Sequence, residues 1–335
     1  MENDIEQVIE GDGQQSCCLC GNPGRDVHAN LQDRLFGVPG DWNVVQCTDE
    51  SCGLAWISPF VAEDELAGLY ENYYTHKVAD QGSYLEGAGA AKRFFSLILK
   101  ALNKLVGLDR QRRELAEMYL ESRLPGRVID MGCGDGGKMV LLRQLGWQVE
   151  GQDVDPLAVK AARELTGETV HEGRISDLEL GSNTYDAVVM HHVLEHVADP
   201  VTFLRHCAIL VKPGGRLVAT VPNFASTRHR CFGRAWRGLE PPRHLYHFAP
   251  ANLQLLAAKA GMLEARVFTS SANAEAFALA SYQIKHRFGK NEAVEIKLSM
   301  RMKAMATQYL SLLEQFLRPE QGDECVFIWD KPSIM

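Results

Sequence analysis

From Arg127 onward the chain alternates short apolar strands with helices of ten to twelve residues, a rhythm that leaves few folds open. Strands joined by helical crossovers run parallel, and a parallel sheet needs helices on both faces. The pattern predicts strands at Arg127–Asp130, Gln148–Gln152, Thr169–Glu172 and Ala187–Met190, then at Gly215–Thr220, Leu263–Thr269 and Glu324–Asp330. Helices are expected between them at Gly136–Leu145, Pro156–Leu165, Pro200–Leu210 and Pro250–Ala260. Asp199 stands before Pro200 as an N-cap, and Gly146 and Gly261 close their helices.

The first strand ends in Asp130-Met131-Gly132-Cys133-Gly134-Asp135-Gly136-Gly137. Gly132 and Gly134 let the backbone turn tightly and approach a ligand, while the next helix presents free N–H groups. Gly132-x-Gly134-x-x-Gly137 also satisfies the dinucleotide fingerprint, so a nicotinamide cofactor has to be weighed. Asp153 lies 21 residues after Gly132, at the end of the second strand, where a carboxylate accepts two hydrogen bonds from a ribose diol. That suits either cofactor.

Later segments separate the two. Tyr185-Asp186 precedes the fourth strand, which runs into Leu194-Glu195-His196-Val197-Ala198-Asp199-Pro200, and Lys212-Pro213-Gly214-Gly215 precedes the fifth. With Asp130-x-Gly132-x-Gly134-x-Gly136, these make the chain resemble the class I S-adenosylmethionine (SAM) dependent methyltransferases over about 120–270 and again at 324–332. The block at 194–200 is similar to that of ubiquinone-pathway O-methyltransferases. The resemblance implies a Rossmann-like α/β fold, a seven-stranded mostly parallel sheet. It places Gly132, Cys133 and Gly134 along the methionine part of SAM, Asp130 beneath that loop, Asp153 on the ribose and Val154 on adenine. The His191 backbone would meet the methionyl ammonium. Where the family often has an acid after the third strand, this chain has Arg174, so Ile175 is left to supply an N–H and an apolar wall.

Nine cysteines are present, and four stand as Cys17-x-x-Cys20 and Cys47-x4-Cys52, 26 residues apart, each pair followed by glycine. Four thiolates around a tetrahedral ion form the closed geometry of structural Zn2+, with no position left for water. A hairpin from Asn43–Gln46 and Leu54–Ser58 would complete a zinc ribbon. A ribbon preceding such a domain resembles a bacterial methyltransferase subgroup tied to surface-glycan and natural-product pathways and, more distantly, sugar C-methyltransferases.

The loop after the fifth strand, Asn223–Phe248, carries Arg228, Arg230, Arg234, Arg237 and Arg243 against Glu240 alone. In a chain with 35 Lys+Arg, 43 Asp+Glu and a net charge of −8, this reads as a local anion trap. Arg237, Arg243 and Tyr246 are the substrate-binding candidates. Methyl transfer to a hydroxyl needs a base, and His244 and His247 are the candidates. His244 matches by position the histidine of the sugar C-methyltransferases, with Pro241 where those have tyrosine. A small-molecule anionic acceptor is the expected partner, favouring a hydroxyl on a sugar nucleotide, glycan or natural-product precursor. An RNA methyltransferase and a SAM-binding zinc scaffold without turnover are the competing readings.

The acidic balance argues against bulk nucleic-acid or membrane-surface binding, a local basic patch aside. Met1–Gln15 carries five acids and no cation and does not read as a targeting segment, so the chain is taken as cytoplasmic. Phe94–Val106 is too short, and too interrupted by Lys100 and Lys104, to span a bilayer. The expected organisation is an acidic tail and ribbon over 1–60, a helical linker or lid over 61–122, and the SAM-binding domain over 123–335. A helix is expected at 62–76, and helical residues at 91–122 broken near Gly107. A helical insertion, 271–320, precedes the last strand. Its helix Val294–Leu317, with Val294, Leu298, Met302, Met305, Tyr309, Leu312 and Phe316 on one stripe, is read as packing on its own domain. A homodimer face or a substrate lid are its other uses.

Overall fold

The computed structural model describes residues 16–61, 69, 90–287 and 296–333. Three strands open it, β1 (Gly24–Leu31), β2 (Trp42–Cys47) and β3 (Ala55–Ser58), followed by helices α1 (Ala90–Leu105) and α2 (Leu108–Ala116). Gly107, at φ 75°, makes the break between those helices. The alternating part then runs β4 (Arg127–Met131), α3 (Gly137–Gln144), β5 (Gln148–Asp153), α4 (Pro156–Thr166) and β6 (Val170–Glu172). It continues through β7 (Tyr185–His191), α5 (Pro200–Leu210), β8 (Val211–Pro222) and a short α6 (Thr227–Phe232). The last elements are β9 (Tyr246–His247), α7 (Pro250–Ala260), β10 (Arg266–Ser270), α8 (Ala274–Arg287), α9 (Leu298–Leu317) and β11 (Glu324–Asp330). Of the helix expected at 62–76, only Leu69 is described.

Seven strands form one sheet in the order β10-β11-β8-β7-β4-β5-β6. β8, β7, β4, β5 and β6 pair in parallel, and β11 is antiparallel to both its neighbours. Ala187, Val188, Val189 and Met190 of β7 are fully buried, the unbroken apolar run that a central parallel strand requires. The strand order reverses between β4 and β7, and an open sheet of this kind takes its ligand at such a switch point, beyond the carboxyl ends of the strands. Helix starts follow the local chemistry. Asp155 and Asp199 accept from Leu157 N and Thr202 N, each before a proline at N1. β10 begins at Arg266 rather than Leu263, because residues 261–265 turn and leave Leu263 exposed.

A second sheet, β1-β2-β3-β9, is antiparallel throughout. The expected hairpin is β2 and β3. β9 comes from the loop after β8 and pairs Ala55 with His247 and Trp56 with Tyr246. The cysteine-bearing segment therefore shares a sheet, and one continuous core including Trp42, Trp56, Trp236 and Tyr246, with the alternating part.

α9 has the reverse of the expected polarity. Ala304, Thr307, Gln308 and Ser311 face inward beside Leu312, whereas Leu298, Met302, Leu310, Leu313, Phe316 and Leu317 are exposed. Gln308 satisfies the inner face by donating to Ser271 O at 2.6 Å and accepting from Glu275 N at 3.0 Å.

Candidate functional site

The glycine loop leaves β4 through three left-handed residues, Gly132, Gly134 and Gly136, at φ 64°, 56° and 83°. At Gly132 glycine is also required sterically, since a Cβ would lie 2.6 Å from Val193 Cγ2. Asp153, at the end of β5, holds the loop through one carboxylate oxygen and its own following turn through the other. Oδ2 accepts from Gly134 N at 2.9 Å and Oδ1 from Asp155 N at 3.0 Å. Gln152, which sequence reasoning missed, braces the same loop by accepting from Gly132 N at 3.3 Å and donating to Gly173 O at 2.6 Å. Its only signal is its place just before the ribose acid.

Asp130 is buried at the end of β4, and burial pushes its carboxyl up to about 7 although the Lys138 charge opposes this. Burial, reinforced by Asp130 and Asp153, pushes the Cys133 thiol well above its ordinary range, so it stands as a neutral wall. Val154, directly after Asp153, is 54% exposed. Across from it, Arg174 precedes a short 3-10 turn containing half-buried Ile175. His191 Nδ1 pairs with Thr220 Oγ1 at 2.6 Å, and burial beside His192 holds the imidazole neutral. The nine residues read as cofactor-binding thus gather at the carboxyl ends of four adjacent strands.

Beside them opens a cleft of about 280 Å3. His192 and Pro222 line it from the ends of β7 and β8, and His196, Arg237, Glu240 and His244 from the following loops. Ala276, Phe277 and Ala280 of α8 form the opposite wall, so the insertion shapes the cleft. His192, also missed from sequence, has φ 56° and sits between two buried carboxylates, with Nδ1 3.0 Å from Glu195 and Nε2 2.8 Å from Glu324. Burial disfavours its charge, but these two bonds outweigh it and push the pKa up to about 9.

His244 has the opposite state. Its Nδ1 lies 2.8 Å from Gly238 O, which fixes the proton there and leaves the Nε2 lone pair directed at the acidic side of the cleft. Glu240 Oε2 lies 3.4 Å from Nε2, but burial, with His196 and Arg237 nearby, holds the pKa well below the ordinary value. His196 bonds Arg243 O through Nδ1 at 2.9 Å and stands edge-on to His244 at 4.7 Å.

Three candidates lie elsewhere. His247 is buried in β9, stacked on Phe224 at 5.3 Å and pushed down to about 3 by burial, and it does not line the cleft. Tyr246 is buried and donates to Ala198 O. Arg243 is fully buried, with Nη1 2.9 Å from Asp33, Nε 3.0 Å from Glu240 and its guanidinium over Phe36 at 4.2 Å. The anion-trap expectation is corrected accordingly. Arg228 pairs with Glu314 and Arg237 with Glu240, so acids distant in sequence, Asp33 and Glu314, answer charges that looked unopposed. Asp33 in turn caps its own loop, accepting from Leu35, Phe36 and Val38 N–H groups. Despite burial, Arg243 and these amides hold its carboxyl below the usual range.

Cys17, Cys20, Cys47 and Cys52 converge, with Sγ–Sγ separations of 3.5 Å for Cys17–Cys52 and 3.3 Å for Cys20–Cys47. Gly21 and Gly53, at φ 78° and 59°, turn the two knuckles.

A family model described as a methyltransferase domain matches residues 106–262. Ubiquinone biosynthesis O-methyltransferases are similar, that of Xanthomonas campestris pv. campestris (strain B100) at 40% identity and that of Xanthomonas axonopodis pv. citri (strain 306) at 37%. Each match runs over 114 residues, 31% of this chain and 48% of the relative, so the chain spans about half the length of these curated relatives. Among solved structures, Haemonchus contortus phosphoethanolamine N-methyltransferase 2 in complex with S-adenosyl-L-methionine aligns at TM-score 0.45 and 16% identity, covering 66% of this chain and 52% of that one. A Thermotoga maritima SAM-dependent methyltransferase, possible histamine N-methyltransferase, aligns at 0.44 and 20%, covering 69% and 97%. The resemblance read from the motifs is borne out: residues 106–262 match the model of a methyltransferase domain.

Two measurements check the electrostatics. Arg243→Ala strands the Asp33 carboxylate, leaves Glu240 with Arg237 alone and is expected to cost about 3–5 kcal/mol in urea unfolding, whereas Arg230→Ala, at an exposed position, costs under about 0.5 kcal/mol. His192, raised from 6.5 to about 9, contributes stability that is whole below pH 6.5 and is lost as pH rises through 9. The loss is expected to reach roughly 3–4 kcal/mol, and His192→Asn, which tolerates the left-handed backbone, removes that alkaline slope.

Proposed function

We propose that the methyltransferase domain of residues 106–262 moves a methyl group from SAM to a hydroxyl of a small acceptor in the cleft, with His244 as the base. The observation that carries this reading is the state and place of His244: a neutral imidazole, its proton fixed on Nδ1, on a wall adjoining the ends of β7 and β8. When bound, SAM supplies a methyl on a sulfonium, already activated for in-line displacement. The chain's task is to align the acceptor and take its proton at His244 Nε2 as the new O–C bond forms.

The residues present fit that cofactor. A carboxylate offers about four acceptor sites, so the two amide bonds at Asp153 leave capacity for a ribose diol. Val154 and Ile175 provide apolar walls for adenine, with the Arg174 backbone beside them, and Gly132, Cys133 and Gly134 border the methionine moiety. An ammonium near Asp130 and the His191 backbone would favour ionised Asp130. Recognition of an acceptor anion falls to Arg237, by exchange of its Glu240 partner. The favoured acceptor is a sugar nucleotide, glycan or natural-product precursor, met in the cytoplasm. Internal pairing of Arg228 and Arg243 takes two guanidinium groups from the RNA reading.

In the N-terminal segment, Cys17, Cys20, Cys47 and Cys52 would hold structural Zn2+. The donor set is four sulfurs, all within 4.8 Å of one another, which fills a tetrahedral ion completely. Metal analysis is expected to find stoichiometric zinc, and its removal by chelator to lower the unfolding temperature. Purified protein without bound metal, equally stable with Cys17 and Cys20 changed to serine, would contradict the assignment.

Labelled SAM offered with nucleotide sugars, lipid-linked sugars and total RNA, at low and high salt, tests the acceptor class; label in RNA alone overturns the small-molecule reading. His244→Ala is expected to lower kcat by about 10²–10⁴-fold with unchanged S-adenosylhomocysteine binding. Asp153→Ala is expected to weaken that binding by about 10–100-fold in calorimetry. Because His244 is held well below 6.5, the acid limb of the rate profile should fall below that pH.

A further inference from the structure

α1 is amphipathic, yet from Leu97 to Val106 none of its side chains is buried. Leu97 is 64% exposed and Leu105 83%, and Ile98, Leu102 and Val106 are exposed as well. At 100° per residue these fall on one arc, while Lys100, Asn103 and Lys104 fall on the other. The helix sequence also contains Lys92 and Arg93 and no acid, a cationic segment within a chain of net charge −8. Asn103 accepts from the Tyr309 hydroxyl at 2.8 Å, which lays α1 alongside α9. There the outward face adds Leu313, Phe316 and Leu317, with Phe316 83% exposed, and the cations Arg301 and Lys303.

We infer that the exposed apolar arc of α1, with the flank of α9 beside it, is a docking surface for an anionic lipid bilayer. Charge complementarity selects this occupant. The apolar arc is bordered by Lys100, Lys104, Arg301 and Lys303, so a second copy placed against the same face would set like charges together, whereas acidic headgroups supply the complement. Among the described residues, no helix is long and apolar enough to cross a membrane. A cationic amphipathic helix of 16 residues instead lies in the interface plane, its leucines among the acyl chains and its lysines reaching back to the headgroups. The acidic balance that argues against membrane binding for the whole chain does not hold for this patch. The inference is independent of the acceptor reading, since adsorption requires no turnover.

Flotation of the full chain with vesicles tests it. The protein is expected to float with phosphatidylcholine–phosphatidylglycerol vesicles, to stay behind with phosphatidylcholine alone, and to be released as salt is raised. Lys100→Glu with Lys104→Glu should lower partitioning at least about tenfold, and Leu97→Ser with Leu105→Ser should do the same, each keeping the wild-type unfolding temperature. Failure to float with acidic vesicles overturns the inference. So does a dimer in sedimentation that Leu105→Ser with Phe316→Ser dissolves, because the face would then belong to a second copy.

Discussion

The buried charge chain Asp33–Arg243–Glu240–Arg237 fixes the relation between the two sheets. Asp33 belongs to the segment between β1 and β2, Glu240 and Arg237 to the cleft wall, and Arg243 lies between them with no exposed surface. Charges removed from water in this way are tolerable only when each finds its partner, so the loop from 233 to 248 has one low-energy seat. His244, the next residue after Arg243, inherits that seat. Its proton is placed by Gly238 O and its neutral state by the same burial. The base proposed for the reaction is thus positioned by an ion network whose buried end, Asp33 and Arg243, lies outside the cleft lining.

Much of the sheet was legible because its signals are local. The β7 apolar run, the Asp199–Pro200 helix start and the glycine loop each depend on residues within a few positions of one another, and α5, α7 and β11 fall where the sequence places them. The cysteine cluster was legible for a related reason, since two short-range pairs need only one long-range meeting.

What the sequence concealed is long-range. β9 has two residues and no periodicity, and exists because β3 offers an open edge. Arg228 and Arg243 looked open to a ligand because their partners Glu314 and Asp33 lie 86 and 210 positions away. His192 gave no sign of its charge, which comes from Glu195 nearby and Glu324 across β11. On α9 the apolar stripe suggested a buried face, but Ser271 and Glu275 reward the polar side with hydrogen bonds, and the helix turns accordingly.

The shared sheet has a consequence for recombination. Since Ala55 and Trp56 are bonded to His247 and Tyr246, the N-terminal strands cannot be transplanted onto a related scaffold as a cassette. A viable chimaera has to carry 16–61 and 233–248 from the same parent, and natural shuffling of such modules is bound by the same linkage, two stretches distant along the gene inherited as one unit.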